Sequence, residues 1–311
     1  MNLPQINEKG EIEYRFILKS QPSEYNFNSV YRIKTINRNG KDINIEGVLY
    51  VGNPKSGDTN EACVTITVSY PEGLDLFEQK YNMKSPVDSS VASLILTKYY
   101  TKCSENKDLI QGEGTVEMLN TAMGFIKQMC TFVKEFDLKD SSSKKCDNNT
   151  TISLPYFYIM NKGKTWYEAK FGAYLKPKEL NNEYKQAIRD MLSCPLEDFS
   201  IFTIRYLKQT PETVCKALEE EYIKSKSMGD FTDKLYKKYG MKMGCILLQS
   251  WIDEYMRSIK LNNYILHPHW YISTNILPNI EFINNKNTLR AKRRKQSTRK
   301  HSIWNNNTNS K

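Results

Sequence analysis

Histidine is nearly missing from this chain, with three in 311 residues, all beyond residue 260: His267, His269 and His301. A metal would have to take cysteine or carboxylate ligands from elsewhere, and satisfied histidines are the plainer reading, so no metal is expected. No two of the seven cysteines form a C-x-x-C pair. Their odd number and wide spacing argue against a zinc ribbon and against a secreted disulfide framework. Cys63, Cys103, Cys130, Cys146, Cys194, Cys215 and Cys245 are therefore expected to be reduced, mostly buried thiols of an intracellular protein. No stretch approaches the roughly 18 apolar residues of a membrane span. The N-terminus has neither the charged nor the apolar region of a secretory signal. The expectation is a soluble, unexported chain with no membrane contact. No G-x-S-x-G elbow supports a serine triad, and no internal repeat of helix pairs is present. Apolar residues make up only 39%, so the 20 tyrosines and 12 phenylalanines must supply much of the core.

Acidic residues are absent from Arg290 to Lys311, where eight basic residues stand. The formal charge of the whole chain is +10, so removing those eight leaves the rest near neutral at +2. Residues 276–311 read as a disordered, Asn-rich and basic tail. Arg290, Lys292, Arg293, Arg294, Lys295, Arg299 and Lys300 can neutralise phosphates, and Trp304 offers one stacking plane. This predicts nucleic-acid binding through backbone contacts, indifferent to base sequence. An import signal or a solubilising end are the bland alternatives.

What remains divides by periodicity. Ile12–Leu18, Val30–Ile36, Ile43–Val51 and Ala62–Tyr70 alternate as strands, with Asn39-Gly40 suited to a tight hairpin. Leu74–Tyr81 is a weak helix, and a second is expected from Asp88 or Ser89 through Val91, Leu94, Ile95 and Tyr99. Thr115–Met129 carries an apolar stripe at three- and four-residue steps and reads as a helix. Phe132–Leu138 reads as a strand and 139–150 as a polar loop. Ser153 caps a helix with Pro155 in its first turn, stopped at Gly163. Thr165-Trp166-Tyr167-Glu168 has the capping-box pattern, and Phe171–Leu175 is read as a strand. Beyond it the chain is helical: 179–192, about 210–226, 230–239 closed by Gly240, and 243–261. The expected domains are 1–176, a mixed and largely antiparallel α+β fold with flanking helices, then a helical region over 177–275, then the tail.

Two stretches carry candidate chemistry. Gln111-Gly112-Glu113-Gly114-Thr115 opens a helix, and N–H groups there bind phosphate well. The loop is neither a Walker A nor G-x-G-x-x-G, since Glu117 stands where the third glycine belongs. The plain alternative is a flexible helix entry. Tyr158 and Tyr167 lie in the aromatic block 153–173, where Thr165 and Glu168 have a capping role and Trp166 a core role.

The order of elements resembles GNAT-type N-acetyltransferases: antiparallel strands, a glycine-rich turn, a helix, a strand, and a helix ending near Tyr167-Glu168. That resemblance implies acetyl-CoA as cofactor, its pyrophosphate held by Gln111, Gly112, Glu113, Gly114 and Thr115. It also implies a tyrosine, Tyr167 or else Tyr158, as general acid for the departing thiolate. Gly112 and Gly114 match the small positions of the family's Q/R-x-x-G-x-G/A pattern, while Leu109 departs from its first position. About forty residues stand between the fourth strand and Gly112, where the family has almost none. The runs Gly112–Thr115, Asp140–Cys146 and Gly163–Ala173 also resemble uncharacterised proteins of giant nucleocytoplasmic DNA viruses. That second resemblance implies an infected host's cytoplasm or nucleus, or the virion, as location. The sequence-based expectation is a viral acyltransferase-like protein, active or not. The alternative is a non-enzymatic protein that binds nucleic acid or virion partners through its tail.

Overall fold

The structure is a computed structural model that describes residues 5–7, 9–38, 41–52, 61–70, 90–96, 101–110, 112–140, 142–145, 151–196, 212–249, 252–265, 269–280 and 282–283. The chain is α+β and forms two compact units, Met1–Phe136 with Ser273–Lys311, and Asp137–Ile272. The expected boundary at residue 176 falls inside the second.

The first unit is built on antiparallel strands: β1 (Gln5–Ile6), β2 (Ile12–Lys19), β3 (Asn26–Arg38), β4 (Lys41–Val51), β5 (Val64–Ser69) and β6 (Val91–Leu96), hydrogen-bonded in that order. The alternation read from the sequence sets the register. In β2, Phe16 and Leu18 are buried, and the next strand pairs Ile12↔Ile33 through Lys19↔Asn26. Helix α1 (Glu113–Met129) covers this sheet with Met118, Leu119, Ala122, Met123, Phe125 and Ile126. Phe125 stacks on Phe16 at 4.6 Å and meets Tyr31 edge-on at 6.0 Å. Gly47 makes room for the Tyr31 ring: a Cβ there would lie 2.1 Å from its hydroxyl. That hydroxyl bonds Tyr70 at 2.6 Å and touches the buried Cys130 thiol at 3.5 Å. Glu13 is also buried. Burial alone would raise its carboxyl, but bonds from Arg32 and Arg15 at 2.7 and 2.5 Å hold it below the usual range.

Strand β7 (Glu135–Leu138) follows α1. The Lys134 N–H donates to the Ser90 carbonyl at 2.7 Å. Those residues stand just before β7 and β6, so the two strands start side by side and run the same way, with α1 as the crossover. The Thr274 N–H donates to the Lys134 carbonyl at 2.9 Å, which sets the end of β10 (Trp270–Ser273) at the start of β7. Strand β11 (Phe282–Ile283) pairs with β2, Phe282 opposite Leu18.

The second unit holds the hairpin β8 (Ser143–Lys145) with β9 (Thr151–Ser153), then helices α2 (Leu154–Lys162), α3 (Trp166–Phe171), α4 (Lys178–Ser193), α5 (Glu212–Ile223), α6 (Met228–Gln249), α7 (Ile252–Ser258) and α8 (Asn262–Ile265). Gly163 ends α2 in the left-handed conformation (φ 66°), where a side chain would be strained. Aromatic rings knit the unit: Phe157 meets Tyr236 at 5.3 Å, Tyr222 meets Phe231 at 5.2 Å, and Tyr184 meets Trp270 at 5.3 Å.

Several expectations are corrected. Residues 91–96 form a strand, not a helix. Ala92 and Leu94 are buried while Ile95 is exposed, a period of two, and β5 supplies partners, Ala92↔Val68 and Leu94↔Ile66. Phe171 closes α3 instead of opening a strand, and only Tyr174 bridges, to Tyr271. The expected polar loop carries β8, whereas Gly240 does close the 230–239 helix as expected: its φ of 69° and ψ of 175° break α6 into two helices at a kink. Helix α7 ends at Ser258, short of the expected 261, and Leu261 is a turn residue. Cys63 and Cys103 are not thiols but a disulfide, S–S 2.00 Å, and Cys194 is exposed. The spacing of 40 residues gave no hint of that pair, which the meander and the segment before α1 bring together. The tail expected to be disordered from 276 holds order at its start, where β11 (Phe282–Ile283) pairs with β2; the Asn39-Gly40 turn, the 74–81 helix and residues 284–311 lie outside the described residues.

Candidate functional site

The start of α1 is the site the glycine pattern pointed to. Gly112 takes φ 87°, where an L side chain is strained, and a Cβ there would meet nothing within 4 Å. This backbone is open to an approaching group. Gly114 differs: it is buried, and a Cβ would lie 2.7 Å from the Leu109 side chain. Its N–H is already used, donating to the Ile110 carbonyl at 2.9 Å. Gly114 therefore packs the helix entry and offers no donor. Thr115 is buried, while Glu113 is exposed in the first turn and sets a negative charge against the positive end of the helix dipole. One turn on, Glu117 is spent on structure, accepting from the Ser20 hydroxyl at 2.7 Å and the Ser23 hydroxyl at 2.5 Å. Gln111 lies outside the described residues.

The aromatic block builds a different place, in the second unit. Thr165 and Glu168 form the expected capping box: the Glu168 N–H donates to Thr165 Oγ1 at 3.2 Å, and the Thr165 N–H to Glu168 Oε2 at 2.8 Å. Tyr184 of α4 also donates to that carboxylate oxygen, at 2.5 Å. Trp166 is buried, with its ring 4.9 Å from Tyr167 and 5.6 Å from Phe171. Tyr167 is 5% exposed, and burial, with the nearby Asp140, pushes its hydroxyl well above the ordinary tyrosine range. It holds its proton firmly. Tyr158 is raised by burial alone.

Asp140, marked in the sequence only as the start of the Asp140–Cys146 run, had no expected role. It is 2% exposed, on the link between β7 and β8. Its Oδ1 accepts from the Ser142 N–H at 3.2 Å and the Ser142 hydroxyl at 2.5 Å, whereas Oδ2 is buried with no partner among the described residues. Burial pushes the carboxyl up to about 6, and Glu168 adds to the rise. Glu168 is itself raised by burial, against the bonds from Tyr184 and Thr165. A buried carboxyl with an unpaired oxygen is costly, and in the sequence an aspartate followed by three serines looks like a surface loop.

Compared with known protein families, curated proteins and solved structures, the chain matches none. Its function must be argued from these residues alone. Among the described residues no group of three or more histidine, cysteine or acidic side chains stands ready for a metal. No helix among them is long and apolar enough to cross a membrane. His269 sits 3.0 Å from Asp137, an ion pair when protonated, and so is held by a carboxylate. His267, His301 and the basic set from Arg290 to Lys300 lie outside the described residues.

Proposed function

We propose that the chain is an acyltransferase-like protein related to the GNAT type, which holds the pyrophosphate of acetyl-CoA at the start of α1. The supporting observation is the crossover β6–α1–β7. Two strands that begin side by side and run the same way bracket a helix whose first turn is open at Gly112. Backbone at the start of such a crossover helix suits a phosphate. Gly112 and Thr115 remain the candidates for that contact, whereas Gly114 supports them by packing on Leu109. Tyr167, which keeps its proton, and Tyr158 belong to the second unit, so no general acid or base is assigned to this site.

Acetyl-CoA titration tests the proposal. A ligand present at about 100 times its Kd stabilises the fold by roughly 2.7 kcal/mol, a readily measured rise in melting temperature. Exposed Glu113 provides the control. Glu113→Gln removes a negative charge beside the phosphates and should tighten binding by about two- to fivefold, the range of a charge at a helix end. No stabilisation at millimolar acetyl-CoA, or the same affinity in Glu113→Gln, refutes the placement. A second reading rests on the charge distribution: the eight basic residues beyond residue 289 carry most of the +10, as a phosphate-binding tail would.

A further inference from the structure

The segment from Lys102 to Asp108 forms one wall of a groove of about 420 Å³ in the first unit, with Asn28 of β3 on the other side. Its walls are held before any ligand arrives. Asn106 Oδ1 accepts from the Asn26 N–H at 2.9 Å and the Ser104 hydroxyl at 2.8 Å, and its Nδ2 donates to the Glu24 carbonyl at 2.9 Å. The Glu105 N–H donates to the Asn26 carbonyl at 2.8 Å, and the Cys63–Cys103 disulfide anchors the segment from within. Such preorganisation lowers the ordering cost of binding.

The lining settles the chemistry of an occupant. It includes no apolar side chain, which disfavours an apolar ligand. Lys107 is already committed, donating to the Ser23 carbonyl and lying 4.7 Å over the Tyr25 ring. Among the described residues this leaves two carboxylates, Glu105 and Asp108, and one ammonium, Lys102, for a ligand to meet. A simple anion would face more repulsion than attraction, and two carboxylates alone are too few to cage a metal ion. The main chain of Asn26 is bonded to both Glu105 and Asn106, which ties this wall to β3. The groove thus offers two carboxylates to a cation and one ammonium to an anion.

We propose that this groove binds a small zwitterion, an amino acid or short peptide whose free ammonium meets Glu105 and Asp108 and whose carboxylate reaches Lys102. A cavity of this size accommodates a tripeptide. The inference does not depend on acetyl-CoA, so the full chain is titrated calorimetrically with peptide alone. Ala-Ala-Ala is the probe, with its N-acetylated form and its C-terminal amide as partners. Binding of the free tripeptide is expected, with at least tenfold loss on N-acetylation. A similar loss is expected in the double variant Glu105→Gln/Asp108→Asn, whose exposed positions leave the fold intact. Lys102→Ala should weaken the free tripeptide but not its amide. No binding at 10 mM peptide (about the weakest useful affinity), or equal affinity for the acetylated form, overturns the proposal. So does an unchanged affinity in the double variant. A parallel acetyl-CoA titration on the same protein keeps failure here distinct from failure at α1.

Discussion

Asp140 makes stability fall as pH rises. Its carboxyl titrates near 6 in the fold against an ordinary 3.8, so between those values the folded state holds the proton that the unfolded chain has released. Stability from this group is fully present below about pH 3.8 and is lost as pH rises through 6. At 1.36 kcal/mol per pH unit the whole effect is about 3 kcal/mol, of which about 1.4 kcal/mol falls between pH 5 and pH 8. Glu13 and Asp230, lowered by their cationic partners, act in the opposite sense, losing stability as pH falls. The parent protein alone therefore shows only a sum. Asp140→Asn isolates the term, because the amide keeps an acceptor for Ser142 and cannot ionise. Any fixed cost of its new N–H₂ group is the same at both pH values. Urea melts of parent and variant at pH 5 and pH 8 should give a difference that moves in the variant's favour by about 1.4 kcal/mol. Glu168, raised in the same direction, stays in both proteins and cancels unless the two carboxyls are coupled, in which case the movement grows. A difference that stays constant within about 0.5 kcal/mol would refute the burial argument, since an exposed or ion-paired Asp140 has no reason to lose stability with rising pH.

The disulfide closes a loop of 40 residues, so Cys63→Ser/Cys103→Ser should cost about 4 kcal/mol by the loop-entropy rule. Thiol alkylation in denaturant should mark five of the seven cysteines, and seven marked thiols with no stability loss would sink the assignment. Binding of unrelated duplexes should fall steeply with salt and vanish when residues 290–311 are deleted. Undiminished affinity in the truncated chain would move that site into the body.

Legibility followed period. The meander from β2 to β5 was plain because Phe16 and Leu18, or Val64, Ile66 and Val68, alternate with partly exposed neighbours over several residues. Helix α1 was plain because its stripe runs through four turns, and the capping box because its chemistry is local. Strand β6 was misread because six residues hold too few repeats. Val91, Leu94 and Ile95 fit a helical face as well as they fit a strand, and pairing with β5, not propensity, decides it. Strand β10 was missed for a related reason: Trp270 and Ile272 are buried, but four residues after a proline give no period to read. The disulfide depended on contacts between segments 40 residues apart, which spacing alone cannot express.

The site was legible only where backbone conformation demanded a residue type. Gly112 is required by its positive φ and stood out; Gly114 stood out for the same pattern but is there to pack Leu109. One motif therefore joined two glycines with separate physical causes, and only one of them bears on an anion. Asp140 shows the reverse. Nothing local marks it, because its cost arises from burial beside Tyr167 and Glu168, which lie more than twenty residues away in sequence. A carboxyl kept dry with one oxygen unpaired lowers stability at neutral pH by a large fraction of what a domain typically has. Packing gives no return for that cost, since an asparagine could fill the same volume without ionising. The residue is therefore where selection for something other than stability is easiest to look for, and the Asn variant separates the two. If it is more stable at pH 8 and otherwise unchanged, Asp140 is a tolerated burden. If it is more stable and loses a measurable activity, the carboxylate is kept for function rather than for the fold.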